Sequence, residues 1–341
     1  MENYKCLSCG APIVFKPDVG GFKCDYCFST FTEAELTAAV QKKSSKSSDS
    51  DGDGVKGYTC GNCGAAVVVG DTSNTAFCYY CHSPIVISDR LQGAFKPDVI
   101  IPFKLDKKAA LAKFLTWAKK HKYTPKDFTS NMQQEKMTGI YLPYWQADFL
   151  ANVDYSAIGV SSRSWISGDK EYTETTKVAI DRSGSIDVNS VEQLAFSKVN
   201  ENLINAISNF DDTEQRPFSP GYLAGFFSEQ YDIAKETAEE NLRFRAKQEV
   251  ESQISASHNF ATIRNEENKT TYKTKKVSYA LFPSWILSYV YNGKSYIFAV
   301  NGQTGEIAGE APLSTKKMVI RSVIRALIVA TALILGGLFI W

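Results

Sequence analysis

Eight cysteines, all before residue 82, fall into four C-x-x-C pairs: Cys6/Cys9, Cys24/Cys27, Cys60/Cys63 and Cys78/Cys81. Fourteen residues lie between Cys9 and Cys24, fourteen again between Cys63 and Cys78, and the whole unit recurs at an offset of 54. Each unit reads C-x-x-C-G, a short apolar run (Ile13-Val14-Phe15 or Val67-Val68-Val69), a turn, then C-x-x-C. A two-residue spacer lets one tight turn present both sulfurs to a single metal, and four thiolates suit a closed tetrahedral site. The duplicated frame therefore predicts two zinc ribbons and two zinc ions per chain. Gly10 and Gly64 follow the first knuckle of each unit, where the backbone needs φ > 0.

Other uses of these cysteines fit less well. The opening MENYKCLSCG has no apolar run of a secretion signal, and a reducing compartment favours metal over disulfides. Cys78-Tyr-Tyr-Cys81-His82 matches a haem-attachment pattern. Haem would orphan Cys60 and Cys63, and the first unit has Phe28 where His82 stands, so His82 reads as a bystander. The pairs can combine sequentially or in a cross-braced pattern. Residues 41–57 are rich in Ser, Gly and charge, as in a flexible linker,. Its reach of about 20–25 Å favours sequential sites and lets the first ribbon search for a partner. Within it, Gly52-x-Gly54-x-x-Gly57 and Asp49-x-Asp51-x-Asp53 mimic dinucleotide and calcium motifs. The first lacks its strand and helix, and the second meets Cys60 where a glutamate should stand.

Charge bears on function. The chain of 341 residues carries 38 Lys+Arg and 37 Asp+Glu. Residues 1–92 hold 8 basic and 10 acidic side chains, and two tetrathiolate zinc sites bring that module from −2 to about −6. Counterion release needs a basic face, so nucleic acid is disfavoured, a local patch at Lys42, Lys43 and Lys46 aside. Small protein-docking modules are the plainer reading.

Residues 93–315 read as an α+β scaffold. Asp106 caps a predicted helix over 107–122, with an apolar stripe at Leu111, Phe114, Leu115 and Ala118, a lysine-rich opposite face and Pro125 as its stop,. That face reads as ordinary solvated lysines, with an acidic partner or anionic surface as the alternative. Asn292-Gly293 between two β-rich runs predicts a hairpin. Tyr141-Leu-Pro-Tyr-Trp145 and Leu281-Phe-Pro-Ser-Trp285 resemble each other and hint at a second duplication. Residues 231–257 carry a helical stripe at Ala238, Leu242, Ala246, Val250 and Ile254,. His121 and His258 lie far apart, and no H-E-x-x-H, G-x-S-x-G or P-loop occurs,. The expectation is a non-enzymatic protein without a small-molecule substrate.

Ala326–Trp341 is 16 residues without charge, preceded by Lys316, Lys317, Arg321 and Arg325. A helix of that length spans about 24 Å, and snorkelling arginines extend it toward the roughly 30 Å hydrocarbon core. This predicts a single-pass transmembrane anchor over 316–341, with the N-terminal domains cytoplasmic. The expected fold class is thus multidomain: ribbons at 1–40 and 58–92, a linker, the α+β scaffold and a C-terminal transmembrane helix.

With the paired ribbons, the stretch Arg216-Pro-Phe-Ser-Pro-Gly-Tyr-Leu-Ala-Gly-Phe-Phe-Ser-Glu-Gln-Tyr231-Asp and Asn301-Gly-Gln-Thr-Gly-Glu306, the chain resembles bacterial membrane-anchored proteins with transcription-factor-IIB-type zinc ribbons, sometimes labelled primosomal. The resemblance spans nearly the whole chain and supplies no catalytic residues. It implies an adaptor in an envelope-stress system, associated with phage-shock and SPFH (flotillin-like) proteins. The alternative is a membrane-tethered nucleic-acid-binding protein.

Overall fold

The computed structural model describes residues 4–41, 57–60, 63, 65–78, 81 and 83–340. The linker residues 42–56, with their basic patch and motif mimics, and Gly64, His82 and Trp341 lie outside the described residues.

The first ribbon is a three-stranded antiparallel sheet, β1 (Val14–Lys16), β2 (Gly21–Lys23) and β3 (Thr30–Phe31), followed by helix α1 (Glu33–Gln41). A reciprocal cap starts α1: Thr32 N–H and hydroxyl donate to the Glu35 carboxylate, and Thr32 Oγ1 accepts from Glu35 N–H,. The second ribbon consists of two hairpins, β4 (Gly57–Thr59) with β5 (Ala66–Val68) and β6 (Thr75–Phe77) with β7 (Pro84–Val86).

The scaffold then runs β8 (Val99–Ile100), α2 (Lys107–Lys120), α3 (Asn131–Glu135), β9 (Thr138–Ser167), β10 (Lys170–Leu194), α4 (Glu201–Asn205), β11 (Arg216–Pro217) and β12 (Phe227–Ser228). It continues with α5 (Lys235–Ala256), β13 (Thr262–Asn268), β14 (Thr271–Tyr291), β15 (Lys294–Asn301), β16 (Ile307–Gly309) and α6 (Thr315–Ile340). Its sheet is ordered β10-β9-β14-β15-β16. As expected, Asp106 Oδ1 accepts from Ala109 N–H at 2.7 Å, but α2 stops at Lys120, before Pro125. It buries Ala110, Phe114 and Ala118, while Lys107, Lys108, Lys113, Lys119 and Lys120 stay exposed. α5 buries all five residues of its stripe. Asn292 (φ 50) and Gly293 (φ 76) close the β14–β15 hairpin in the left-handed conformation that this turn requires,.

The two Pro-x-Trp stretches lie opposite each other on the paired central strands: Pro143 faces Leu281 and Tyr141 faces Pro283. Both indoles donate to backbone carbonyls, Trp145 to Ile233 and Trp285 to Leu105. Each half contains a short strand, a helix and a long hairpin strand, β8–α2–β9 and β12–α5–β14, with α3 intervening before β9 and β13 before β14. The short strands are exchanged, so β8 runs parallel to β14 and β12 parallel to β9. Where the halves meet, Gly139 is required by close approach, since a Cβ there would lie 2.7 Å from the Phe226 ring and 3.1 Å from Trp285. The Asn301–Glu306 stretch has a structural role. Buried Asn301 accepts from Gln303 and Thr304 N–H and donates to Ile207 O, pinning the loop after α4.

The expected transmembrane anchor is corrected. Among the described residues, no helix is long and apolar enough to cross a membrane. α6 begins at Thr315, so Lys316, Lys317, Arg321 and Arg325 fall within its first three turns. The single-pass membrane localisation falls with it. The start of α6 is tied to the scaffold: Ser314 N–H donates to Tyr123 O, Lys317 Nζ to Thr124 O, and the Arg321 guanidinium lies over the Tyr123 ring.

Candidate metal centres and the segment they clasp

The eight cysteines assemble as two sequential tetrads, Cys6/Cys9/Cys24/Cys27 and Cys60/Cys63/Cys78/Cys81, with all four sulfurs of each set within 4.8 Å of one another. Cross-bracing is thereby excluded. Local backbone geometry repeats at every knuckle. The first cysteine's N–H donates to the carbonyl five residues on: Cys6 to Ala11, Cys24 to Ser29, Cys60 to Ala65 and Cys78 to Ser83. Gly10 (φ 75) takes the left-handed turn expected of it. Phe28 (φ 61) takes the same turn with a side chain that disfavours it, and its ring is 71% exposed. Replacing Phe28 with Gly should therefore raise the thermal midpoint, by about 1 kcal/mol of stability; an unchanged or lower midpoint would refute the strain.

The donor set fits a metal. Sulfur–sulfur separations of 3.4 and 3.6 Å in the first tetrad, and 3.7 and 3.5 Å in the second, are far too long for disulfides,. They lie close to the edge of about 3.8 Å expected of a tetrahedron with 2.3 Å zinc–sulfur bonds. Each tetrad could hold one metal ion. The Ser29 hydroxyl lies 3.3 Å from Cys27 Sγ, and that hydroxyl, with the Ser29 N–H, lowers the Cys27 thiol to about 6. At Cys9 the Ala11 N–H pulls the thiol down, but the crowd of sulfurs led by Cys27 outweighs it and raises it to about 12. Four thiolates thus need a cation among them to ionise together, and metal binding releases protons. Ser83 stands beside Cys81 as Ser29 stands beside Cys27, also at 3.3 Å.

Both ribbons sit on one stretch of the scaffold, residues 216–232. On the first, Phe15 N–H donates to Ala224 O at 3.0 Å, the Phe15 ring meets Tyr222 edge-on at 5.3 Å, and Phe22 packs over Gly221. On the second, Asn74 N–H donates to Ser228 O at 2.8 Å and Gln230 N–H to Thr72 O at 2.7 Å. Glu229 accepts from both Thr72 and Ser73 hydroxyls, at 2.7 and 2.8 Å, and Phe77 packs on Phe227 at 5.0 Å. The first ribbon is thus seated on the scaffold rather than searching from a tether. Sequence reasoning marked this stretch as distinctive but gave it no role. Its Phe-, Gly- and Ser-rich composition was the available signal.

Elsewhere, a cavity of about 470 Å³ opens between β10, α5 and the loop after α4. Glu192 lines it, and burial, reinforced by the charge of Asp212 and opposed by Arg245, pushes its carboxyl up to about 9. Asp212 is itself held by the side-chain amides of Gln146 and Gln215, at 3.0 and 2.6 Å.

No family model matches the chain, and no solved structure matches it. It is 30% identical over 318 residues to a Bacillus subtilis (strain 168) protein described as "Uncharacterized protein YdjG", covering 93% of this chain and 92% of that one. Kinship at that level over both chains, rather than over the cysteine motifs alone, places the protein in a family: the chain belongs to the family of YdjG.

Proposed function

We propose that this protein is a non-enzymatic docking scaffold for a protein partner, with one zinc ion in each four-cysteine site keeping the ribbons folded on the central sheet. The thiolate donor sets and near-tetrahedral sulfur spacing support zinc,. One observation carries the docking role. The β9–β10 hairpin continues past the last rung of β13, at Val160, so that residues 161–179 are exposed on both faces. Near its tip the Trp165 and Tyr172 rings stack across the strands at 5.8 Å, 43% and 45% exposed, and Ile166 is 77% exposed. An aromatic pair on a rigid arm is the kind of anchor that dominates protein interfaces. Ser162–Thr175 and Ser164–Thr173 hydroxyl pairs stiffen the arm.

Charge on the arm favours protein over nucleic acid. Arg163, Lys170 and Lys177 are balanced by Asp169, Glu171 and Glu174, so there is no basic track for phosphates. The partner should offer an apolar pocket for the aromatic pair within a polar, near-neutral surface. An SPFH-type protein is the first candidate, by the resemblance noted above. In co-purification, Trp165→Ala with Tyr172→Ala should lose the partner at least tenfold while both metal ions stay bound. Undiminished capture, or binding to DNA that falls steeply with salt, would refute the docking role.

A further inference from the structure

The clasped stretch has almost no secondary structure of its own. Between β11 and α5 there are one 3₁₀ turn, Pro220–Leu223, and the two residues of β12. Its conformation rests on three neighbours. Towards the sheet, Phe226 stacks on Phe103 at 4.1 Å, and Phe227–Ser228 pair with Ile140–Tyr141. Ribbon one holds Tyr222 and Ala224, and ribbon two holds Ser228, Glu229 and Gln230, as described above. The two ribbons therefore grip positions only four residues apart, Ala224 and Ser228.

Resting on the proposal that each site holds a zinc ion, we infer that the two four-cysteine centres are thermodynamically coupled through residues 219–230, so that metal loss from one ribbon loosens this stretch and weakens metal retention by the other. A ribbon without its metal unfolds. Unfolding of the second ribbon strips Ser228 O and Gln230 N–H of their partners and uncovers the Phe227 ring. With these bonds lost, the stretch is held only by the Phe226–Phe103 stack and the two rungs to Ile140–Tyr141, and it loosens,. Tyr222 and Ala224, a few residues upstream, are the seat of the first ribbon, so that seat loosens too. Such coupling is reciprocal, and its usual strength corresponds to a roughly 5- to 150-fold change in affinity.

The test uses the full chain and reads the cysteines one by one. In Cys60→Ser with Cys63→Ser, which empties only the second site, alkylation of Cys9 and Cys27 followed by mass spectrometry should accelerate at least fivefold. Amide hydrogen exchange of residues 219–230 should rise with it. Glu229→Ala keeps all eight thiols and touches only the second ribbon. It should also speed alkylation of Cys9 and Cys27, by a smaller factor, and it remains informative if the double serine variant folds poorly. Alkylation of Cys9 and Cys27 at the parental rate in both variants would overturn the coupling. So would unchanged exchange over residues 219–230.

Discussion

Purified protein should carry two zinc ions per chain, and stripping them should unfold both ribbons while leaving the central sheet standing. Apparent binding free energies of structural zinc sites run to about 10–16 kcal/mol, more than a domain of this size has to spare. The ribbon cores are correspondingly small: Tyr4, Ile13, Phe15, Phe22 and Leu36 in the first, and Val67, Val69, Ala76, Ile85 and Ile87 in the second. Without metal neither can offset its chain entropy. Trp117 packs on Phe298 and Trp165 on Tyr172, so a strong chelator should change tryptophan fluorescence mainly through Trp285, which packs on Phe226. Proteolysis should meanwhile cut freely before residue 92 and spare a large C-terminal fragment. Acid should mimic the chelator, because protons compete with metal for the thiolates. Stoichiometric iron in place of zinc would sink the metal assignment, and ribbons that resist proteolysis after chelation would show that metal does not hold them.

The second large effect concerns Glu192. Its carboxyl ionises near 4.5 when unperturbed and near 9 in the fold, mainly because burial penalises the charge,. The folded chain therefore binds more protons than the unfolded chain between these values. The group's contribution is fully present below pH 4.5 and is lost as pH rises towards 9,. Glu192→Gln keeps the shape and removes the charge. It should raise stability at pH 8 by on the order of 1–2 kcal/mol, leave it unchanged at about pH 4, and flatten the profile between. Urea midpoints at three pH values would decide it. A variant that is less stable at pH 8 would mean that the carboxylate is ionised and satisfied there.

Legibility followed the range of the interactions involved. The knuckles are set by spacers of two residues and turns of a few more, so the spacing identified all eight cysteines as metal ligands, while their sequential grouping was only favoured by the linker between the units. Helix α5 was readable because Ala238, Leu242, Ala246, Val250 and Ile254 keep a helical period, and the β14–β15 turn because Asn-Gly suits the left-handed conformation at both positions. The seating of the ribbons was not readable. The Thr72–Glu229 hydrogen bond joins residues 157 apart, and neither side chain has a local pattern that names the other. The run of β9 to Ser167 was not readable for a related reason. Beyond Val160 its residues are four serines with Arg163, Trp165 and Ile166 and bury nothing, so hydrophobic periodicity gave no sign of a strand held by cross-strand pairing alone. At the C-terminus the anchor over 316–341 was read from the uncharged run after Ala326, with the preceding cations as snorkelling flanks, whereas the helix starts at Thr315 and takes all four cations into its first turns.

The exchanged short strands carry a consequence for how this protein is made. Val99 meets its antiparallel partner at Pro217 and its parallel partner in the central sheet only at Ala280, roughly 180 residues later in the chain,. During synthesis the first helix and the β9–β10 hairpin emerge long before the strand that completes their half. Neither half is a closed folding unit, and the sheet can only be finished late, through contacts of high sequence separation, which slows folding. Until then the inner face of β9, with Tyr141, Trp145 and Phe149, is an uncovered apolar surface. A nascent or truncated chain ending before β14 is the form most exposed to aggregation.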